Sequence, residues 1–208
     1  MAYKNSVFLN VPFDKRYKPL FQAAVFAIYD CGFVCRCALE DDDGSEVRIE
    51  KIFRLISESR YGIHDISRVT LDSKHRLPRF NMPLELGLFL GAKYFGGPRH
   101  KLKRAMVLDK IDYRYQIFCS DIAGQDPRSH NNEVTLLIRK IRNWLRSSPD
   151  YRNRVFPTTE SIIKRYVTFQ VELPALCKVQ SLDLRDLEFN DYSNLIVGWL
   201  RVNKSARS

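Results

Sequence analysis

No apolar run in the 208 residues approaches the roughly 20 needed to cross a bilayer, and the first residues pass directly into a charged segment and a strand. Neither a membrane span nor a secretory leader is therefore expected. Cysteine is sparse and odd in number, Cys31, Cys35, Cys37, Cys119 and Cys177, with no C-x-x-C pair among them. That pattern argues against a disulfide framework and for reduced thiols in a cytoplasmic setting. Cys35 and Cys37 alternate along one strand-like stretch, and the nearest histidine, His64, stands at no ligand spacing, so packing is expected of them and neither a metal site nor a cofactor. The chain contains no internal repeat and no low-complexity linker.

Apolar residues make up 45% of the composition, enough for one substantial core without disulfides. The formal net charge of +10 allows an anionic partner, whether a nucleotide, a nucleic acid or the acidic face of a partner protein. The basic residues gather in 99–104, 139–146, 152–154 and 201–207. They are not interleaved with aromatics as in a known nucleic-acid motif, so a solvated basic surface is expected there rather than nucleic-acid binding.

Taken in order, the chain alternates. Residues 6–11 form a short run of strand formers ending in the turn Pro12-Phe13-Asp14, and 19–31 carry helical periodicity with Gly32 as a stop. Residues 33–39 return to strand character and lead into the acidic loop 40–45, where Ser45 could cap the helix of 46–59. Strand character recurs over 61–67 and 104–109, separated by a helix beginning near Pro83. Helices are also expected over 132–146, 158–178 and 190–202, with a short one near 113–120. Strands alternating with helices predict an α/β fold, a flavodoxin-like parallel sheet of order near 2-1-3-4-5 flanked by helices, with a helical C-terminal extension. The main domain is placed at 1–150 and the extension, packed on it, at 151–208. In such sheets ligands bind beyond the carboxyl ends of the strands, so residues 10–14, 65–67, Glu85 and Asp109 should meet at one rim.

The helix of residues 81–92 reads as apolar nearly all round, hence buried, with Gly87 and Gly91 leaving room for another backbone. Pro83 is expected at its first position, which puts Glu85 in the first turn. Either Glu85 carries chemistry, or it complements the helix dipole. Capping does not require it, because Asn81 can serve.

The first strand ending Phe8-Leu9-Asn10-Val11-Pro12-Phe13, the third ending His64-Asp65-Ile66-Ser67, and the helix opening Pro83-Leu84-Glu85-Leu86-Gly87 with Ala92 beyond resemble, in order and spacing, the nucleoside 2-deoxyribosyltransferase-like family, related in architecture to TIR-type NAD-cleaving domains. The resemblance covers residues 5–109. It implies that Glu85 attacks the anomeric carbon, that Asp65 contacts the sugar, and that Asn10, Pro12 and Phe13 shape the nucleoside pocket. It also implies a homo-oligomer, since relatives complete their sites across subunits. The chain departs from the family at Asn10-Val11-Pro12, where a small-residue turn is usual, and its C-terminal half matches nothing in the pattern.

The residue types suit that chemistry independently. Cleavage of an N-glycosidic bond develops oxocarbenium character, which a carboxylate stabilises or captures. The expected function is thus N-glycoside cleavage, by an N-glycosidase or a deoxyribosyltransferase-like enzyme, on a nucleotide or nucleoside, NAD included. Glu85 and Asp65 would be catalytic, and Asn10, Pro12, Phe13, Asp14, Ser67 and Asn81 would bind substrate. Arg68, Arg76 and Arg79 could clamp a phosphate. The alternative is a catalytically silent nucleotide-sensing or protein-interaction module. His64, alternating with Asp65, should point to the opposite face of its strand and into the core.

Overall fold

The computed structural model of the chain describes residues 3–41, 43–69, 71, 78–122 and 126–205. A five-stranded parallel sheet is built from β1 (Ser6–Asn10), β2 (Val34–Arg36), β3 (Tyr61–Asp65), β4 (Arg104–Asp109) and β5 (Arg128–Ser129), in the order β2-β1-β3-β4-β5. The helices are α1 (Lys18–Asp30), α2 (Arg48–Glu58), α3 (Asn81–Phe95), a single turn α4 (Pro98–Lys101), α5 (Val134–Arg146), α6 (Thr159–Val179) and α7 (Phe189–Ser205). None of the described helices is long and apolar enough to cross a membrane.

Both sheet faces are covered, as parallel sheets require. Val7, Leu9, Ile63, Met106 and Leu108 share one core with α1, α5, α6 and α7, whereas Phe8 faces the other way to join Ile52, Leu55 and Ile56 of α2 and Phe89 of α3. The one-residue alternation along β1 thus divides its side chains between two helical layers. Helices α6 and α7 lie outside α1, where Phe26 meets Tyr166, Phe169 and Trp199 at ring-centroid distances of 5.5, 5.4 and 6.1 Å. The C-terminal helices therefore belong to the same core as the sheet.

That outer pair makes α1 the most enclosed helix, with Ala23 to Ile28 buried in an unbroken run. Helix α3 differs from its expected character. Only Met82, Glu85, Leu86 and Phe89 are buried on it, while Phe80 just before it, and Leu84, Tyr94 and Phe95 on it, stand in solvent. Gly87 has open space where a Cβ would be, and at Gly91 the nearest atom is a Phe95 ring carbon at 3.9 Å, so neither receives another backbone. Among the described residues no element covers α3 from outside; the layer that encloses α1 lies on the opposite side of the sheet.

Three local expectations are corrected as well. Helix α3 starts at Asn81, not at Pro83, so Glu85 falls beyond the first turn and Asn81 is not its cap; Phe80 holds that position without a side-chain bond. The dipole-complement role of Glu85 weakens accordingly, since that effect fades after one turn. Ser45 does not cap α2; its hydroxyl donates to Asp43 at 2.6 Å and Val47 precedes the helix. The stretch near 113–120 forms two 3-10 turns, Arg114–Ile117 and Ser120–Ile122.

Candidate functional site

The strand ends converge as expected, but most of their polar groups face each other. Asn10, at the end of β1, donates through Nδ2 to the Met82 carbonyl at 2.9 Å and to His64 Nδ1 at 3.1 Å. It clamps the head of α3 onto the sheet and fixes the His64 tautomer with Nδ1 as acceptor. Asn10 is 3% exposed, so it positions neighbours and presents no group to solvent. His64 is fully buried, edge-on to Phe8 and Phe89 with centroids 5.9 and 4.9 Å away. Burial, with help from the Lys103 charge, pushes its pKa down to about 3, which keeps it a neutral core histidine. Gly62 makes room for it: a Cβ there would lie 2.4 Å from His64 Nε2 and 2.9 Å from the Phe89 ring.

Asp65 is sealed. Tyr17 donates to its Oδ2, His130 Nε2 faces the same oxygen at 3.0 Å, and the Ser67 amide donates to Oδ1 at 2.8 Å. Burial raises the Asp65 carboxyl pKa, but the His130 ring and the bonds from Ser67 and Tyr17 outweigh it and hold the group below its ordinary range. Tyr17 is driven well up by burial and by the Asp65 charge and bond, so the phenol keeps its proton. The Asn132 amide donates to His130 Nδ1 at 3.0 Å, which leaves the proton on Nε2, the nitrogen 3.0 Å from Asp65 Oδ2. Asn131 and Asn132 both adopt left-handed backbone, a conformation asparagine tolerates, and so make the turn that orients the ring. Neither Tyr17 nor His130 was identified from the sequence. The Asn131-Asn132 pair is a signal that could have marked the turn; nothing local links His130 to Asp65.

Glu85 stands apart from this network. It is 8% exposed, and no hydrogen bond reaches its carboxylate from the described residues. Burial pushes its pKa up to about 7, only partly countered by the charge of Arg48 at the start of α2. Lys103, also buried, differs in kind: its ammonium donates to the Ile56 and Ser59 carbonyls and closes the C-terminal end of α2.

Two cavities open where β1 turns into α1. The larger, about 450 Å³, lies between that turn, Arg48 and Lys51 of α2, and the start of α7, with Phe13, Phe21, Phe189 and Tyr192 in its walls. The smaller, about 370 Å³, is lined by Arg16, Arg68 and Arg79. Pro12, Asp14 and Lys15 line both. Asp14 holds the turn in shape: its Oδ1 accepts from the Arg16 and Tyr17 amides at 2.9 and 3.0 Å, and its carboxylate pairs with Arg68 at 3.0 Å.

Of the residues singled out from sequence, Pro12, Phe13 and Asp14 therefore line open space. Asn10, Asp65 and Ser67 lie behind it as scaffold, with Ser67 O held by Arg114, which also pairs with Asp109. Asn81 is exposed and lines neither cavity, and Glu85 lines neither. Arg76 lies outside the described residues. Arg48 connects the parts, because it acts electrostatically on Glu85 and also walls the larger cavity. Among the described residues, no group of three His, Cys, Asp or Glu side chains is placed to hold a metal ion. No family model, no curated protein and no solved structure matches the chain.

Proposed function

We propose that the chain cleaves the N-glycosidic bond of a nucleotide, with Glu85 as nucleophile or oxocarbenium stabiliser. The observation that carries this is the Glu85 carboxylate itself: buried, without a hydrogen-bond donor among the described residues, and poised near neutrality at the ligand-binding rim of a doubly covered parallel sheet. A structural carboxylate at such burial is normally paired, as Asp65 is here. In the covalent variant of the step, a Glu85 oxygen forms a bond to the anomeric carbon while the carbon–nitrogen bond breaks and its electron pair leaves with the base. Water or another acceptor then displaces the carboxylate and restores it. The Tyr17–Asp65–His130 network and Asn10 position the strand ends and the head of α3 in this scheme, and Asp65 has no open face toward a sugar hydroxyl.

The test is incubation of the purified protein with NAD, NMN, deoxynucleosides and deoxynucleotides, with released base followed by chromatography. Release is expected from at least one phosphate-bearing substrate, and loss of 10²-fold or more in Glu85→Gln at unchanged circular dichroism. Undiminished release by a folded Glu85→Gln contradicts the role. A nucleotide-sensing module is the second reading, favoured by the absence of Glu85 from both cavity walls. Saturable nucleotide binding with no base released from any compound would select it.

A further inference from the structure

The two cavities at the β1–α1 turn share a wall and differ in their rings: the larger carries four aromatic side chains, with basic (Lys18, Arg48, Lys51) and acidic (Asp41, Glu188) groups among them, and the smaller carries none. On one side the rings of Phe13 and Phe21 meet edge-on at 5.6 Å, and Phe21 leans on Phe189 at 6.1 Å. Phe13 remains 39% exposed, so a flat ligand can reach its face. The start of α7 is fixed over this cavity. Asn190 Nδ2 donates to the Glu40 carbonyl at 2.9 Å, and the Tyr192 hydroxyl accepts from Gln170 Nε2 at 2.9 Å. On the other side, among the described residues, four cations, Lys15, Arg16, Arg68 and Arg79, face one carboxylate, Asp14, already engaged by Arg68. That cavity is shaped for a group of negative charge, and guanidinium groups match phosphate oxygens best.

We infer that the two cavities form one bipartite nucleotide site, in which the base stacks in the aromatic cavity closed by α7 and the phosphate lies among Lys15, Arg16, Arg68 and Arg79, with the Pro12 to Lys15 turn as the saddle between them. The inference deepens the nucleotide reading above and does not depend on Glu85 chemistry. It gives the C-terminal helices a task beyond stability, since Phe189 and Tyr192 become specificity-determining residues for the base. An aromatic platform beside a cationic cradle recognises a phosphorylated heterocycle, because stacking accepts any flat base while the arginines select the charged end.

The test is calorimetric titration of Glu85→Gln, used so that ligands stay intact, with AMP, GMP, CMP and UMP and with the matching nucleosides. Each monophosphate that binds is expected to do so roughly ten- to hundred-fold tighter than its nucleoside, the size of one or two charge-assisted bonds. Arg79→Ala should remove most of that ratio and leave nucleoside affinity in place, with Arg79→Lys restoring part of it. Phe13→Ala should weaken nucleoside and nucleotide alike, and Phe189→Leu, a milder change at a buried position, should alter the ranking of bases. Pyrophosphate should compete with the monophosphates and leave nucleoside affinity unchanged. Equal affinity for nucleoside and monophosphate, an equal effect of Arg79→Ala on both, or binding that tracks any polyanion such as heparin would overturn the bipartite site. Base release by the wild type without a phosphate preference sinks this inference and leaves the glycosidic reading standing. A phosphate preference with no release does the reverse.

Discussion

At the scale of single residues, Glu85 and Asp65 show how surroundings separate two carboxylates on one rim. Asp65 accepts from Tyr17 and the Ser67 amide with the His130 ring beside it, and its pKa is held down; Glu85 meets no donor among the described residues, and burial raises its pKa to about 7. This difference makes Glu85 a stability liability of definite sign. A folded-state pKa above the ordinary value near 4.5 means that the native state holds the proton more tightly than the unfolded chain. The contribution is therefore favourable or neutral at low pH, and stability is lost as pH rises from about 4.5 to about 7. Glu85→Gln, which removes the charge, should stabilise the protein at pH 8 by roughly 2–3 kcal/mol more than it does at pH 5. Urea denaturation at the two pH values measures this, and an identical effect at both would contradict the raised pKa of the buried carboxylate. Gly62 carries a second prediction: Gly62→Ala should cost ~2–4 kcal/mol, since His64 and Phe89 would both have to move inside a packed layer. An unchanged melting temperature would show that the space is not tight.

At the scale of elements, the alternation of the first four strands with helices was legible because each of those strands is a short run of strand formers bounded by turn residues, and the sheet order followed; β5, Arg128–Ser129, carries no such run and was not located. The enclosure of the helices was not. Residues 81–92 look like the more apolar helix, yet α1 is the buried one, because α6 and α7 cover it from outside and, among the described residues, no element covers α3. Hydrophobic content reports what a helix could bury, while topology decides which helix receives two layers. The site was legible to a similar degree. Pro12, Phe13 and Asp14 could be placed at the rim by their position after β1, whereas Tyr17, His130, Phe189 and Tyr192 come from distant segments that only the fold brings there. Asn10 ties β1 to α3, and Asn10→Ala would leave the Met82 carbonyl and His64 Nδ1 without their donor. A loss of ~1–3 kcal/mol is expected, together with faster amide exchange in the first turns of α3. Unchanged exchange there would mean the head of α3 is held by other contacts.

For the whole molecule, the exposed side of α3 is the conspicuous feature. Phe80, Leu84, Tyr94 and Phe95 are 64%, 56%, 65% and 92% exposed, an apolar surface of the kind that marks association. Self-association through α3 is proposed on that ground, with Gly87 open for close approach. Sedimentation velocity at micromolar concentration should show an oligomer that Leu84→Glu with Tyr94→Glu converts to monomer, and a wild-type monomer would contradict it.

The central claim rests on one carboxylate, so the most direct measurement is the initial rate of base release between pH 5 and 9, for wild type and Glu85→Gln in parallel. Ionised Glu85 is required, so the wild-type rate should rise with pH through a midpoint near 7 and then level off, while the variant stays at least 10²-fold lower throughout. A folded variant that matches the wild type, or a wild-type rate that falls across this range, would contradict the assignment of the chemistry to Glu85.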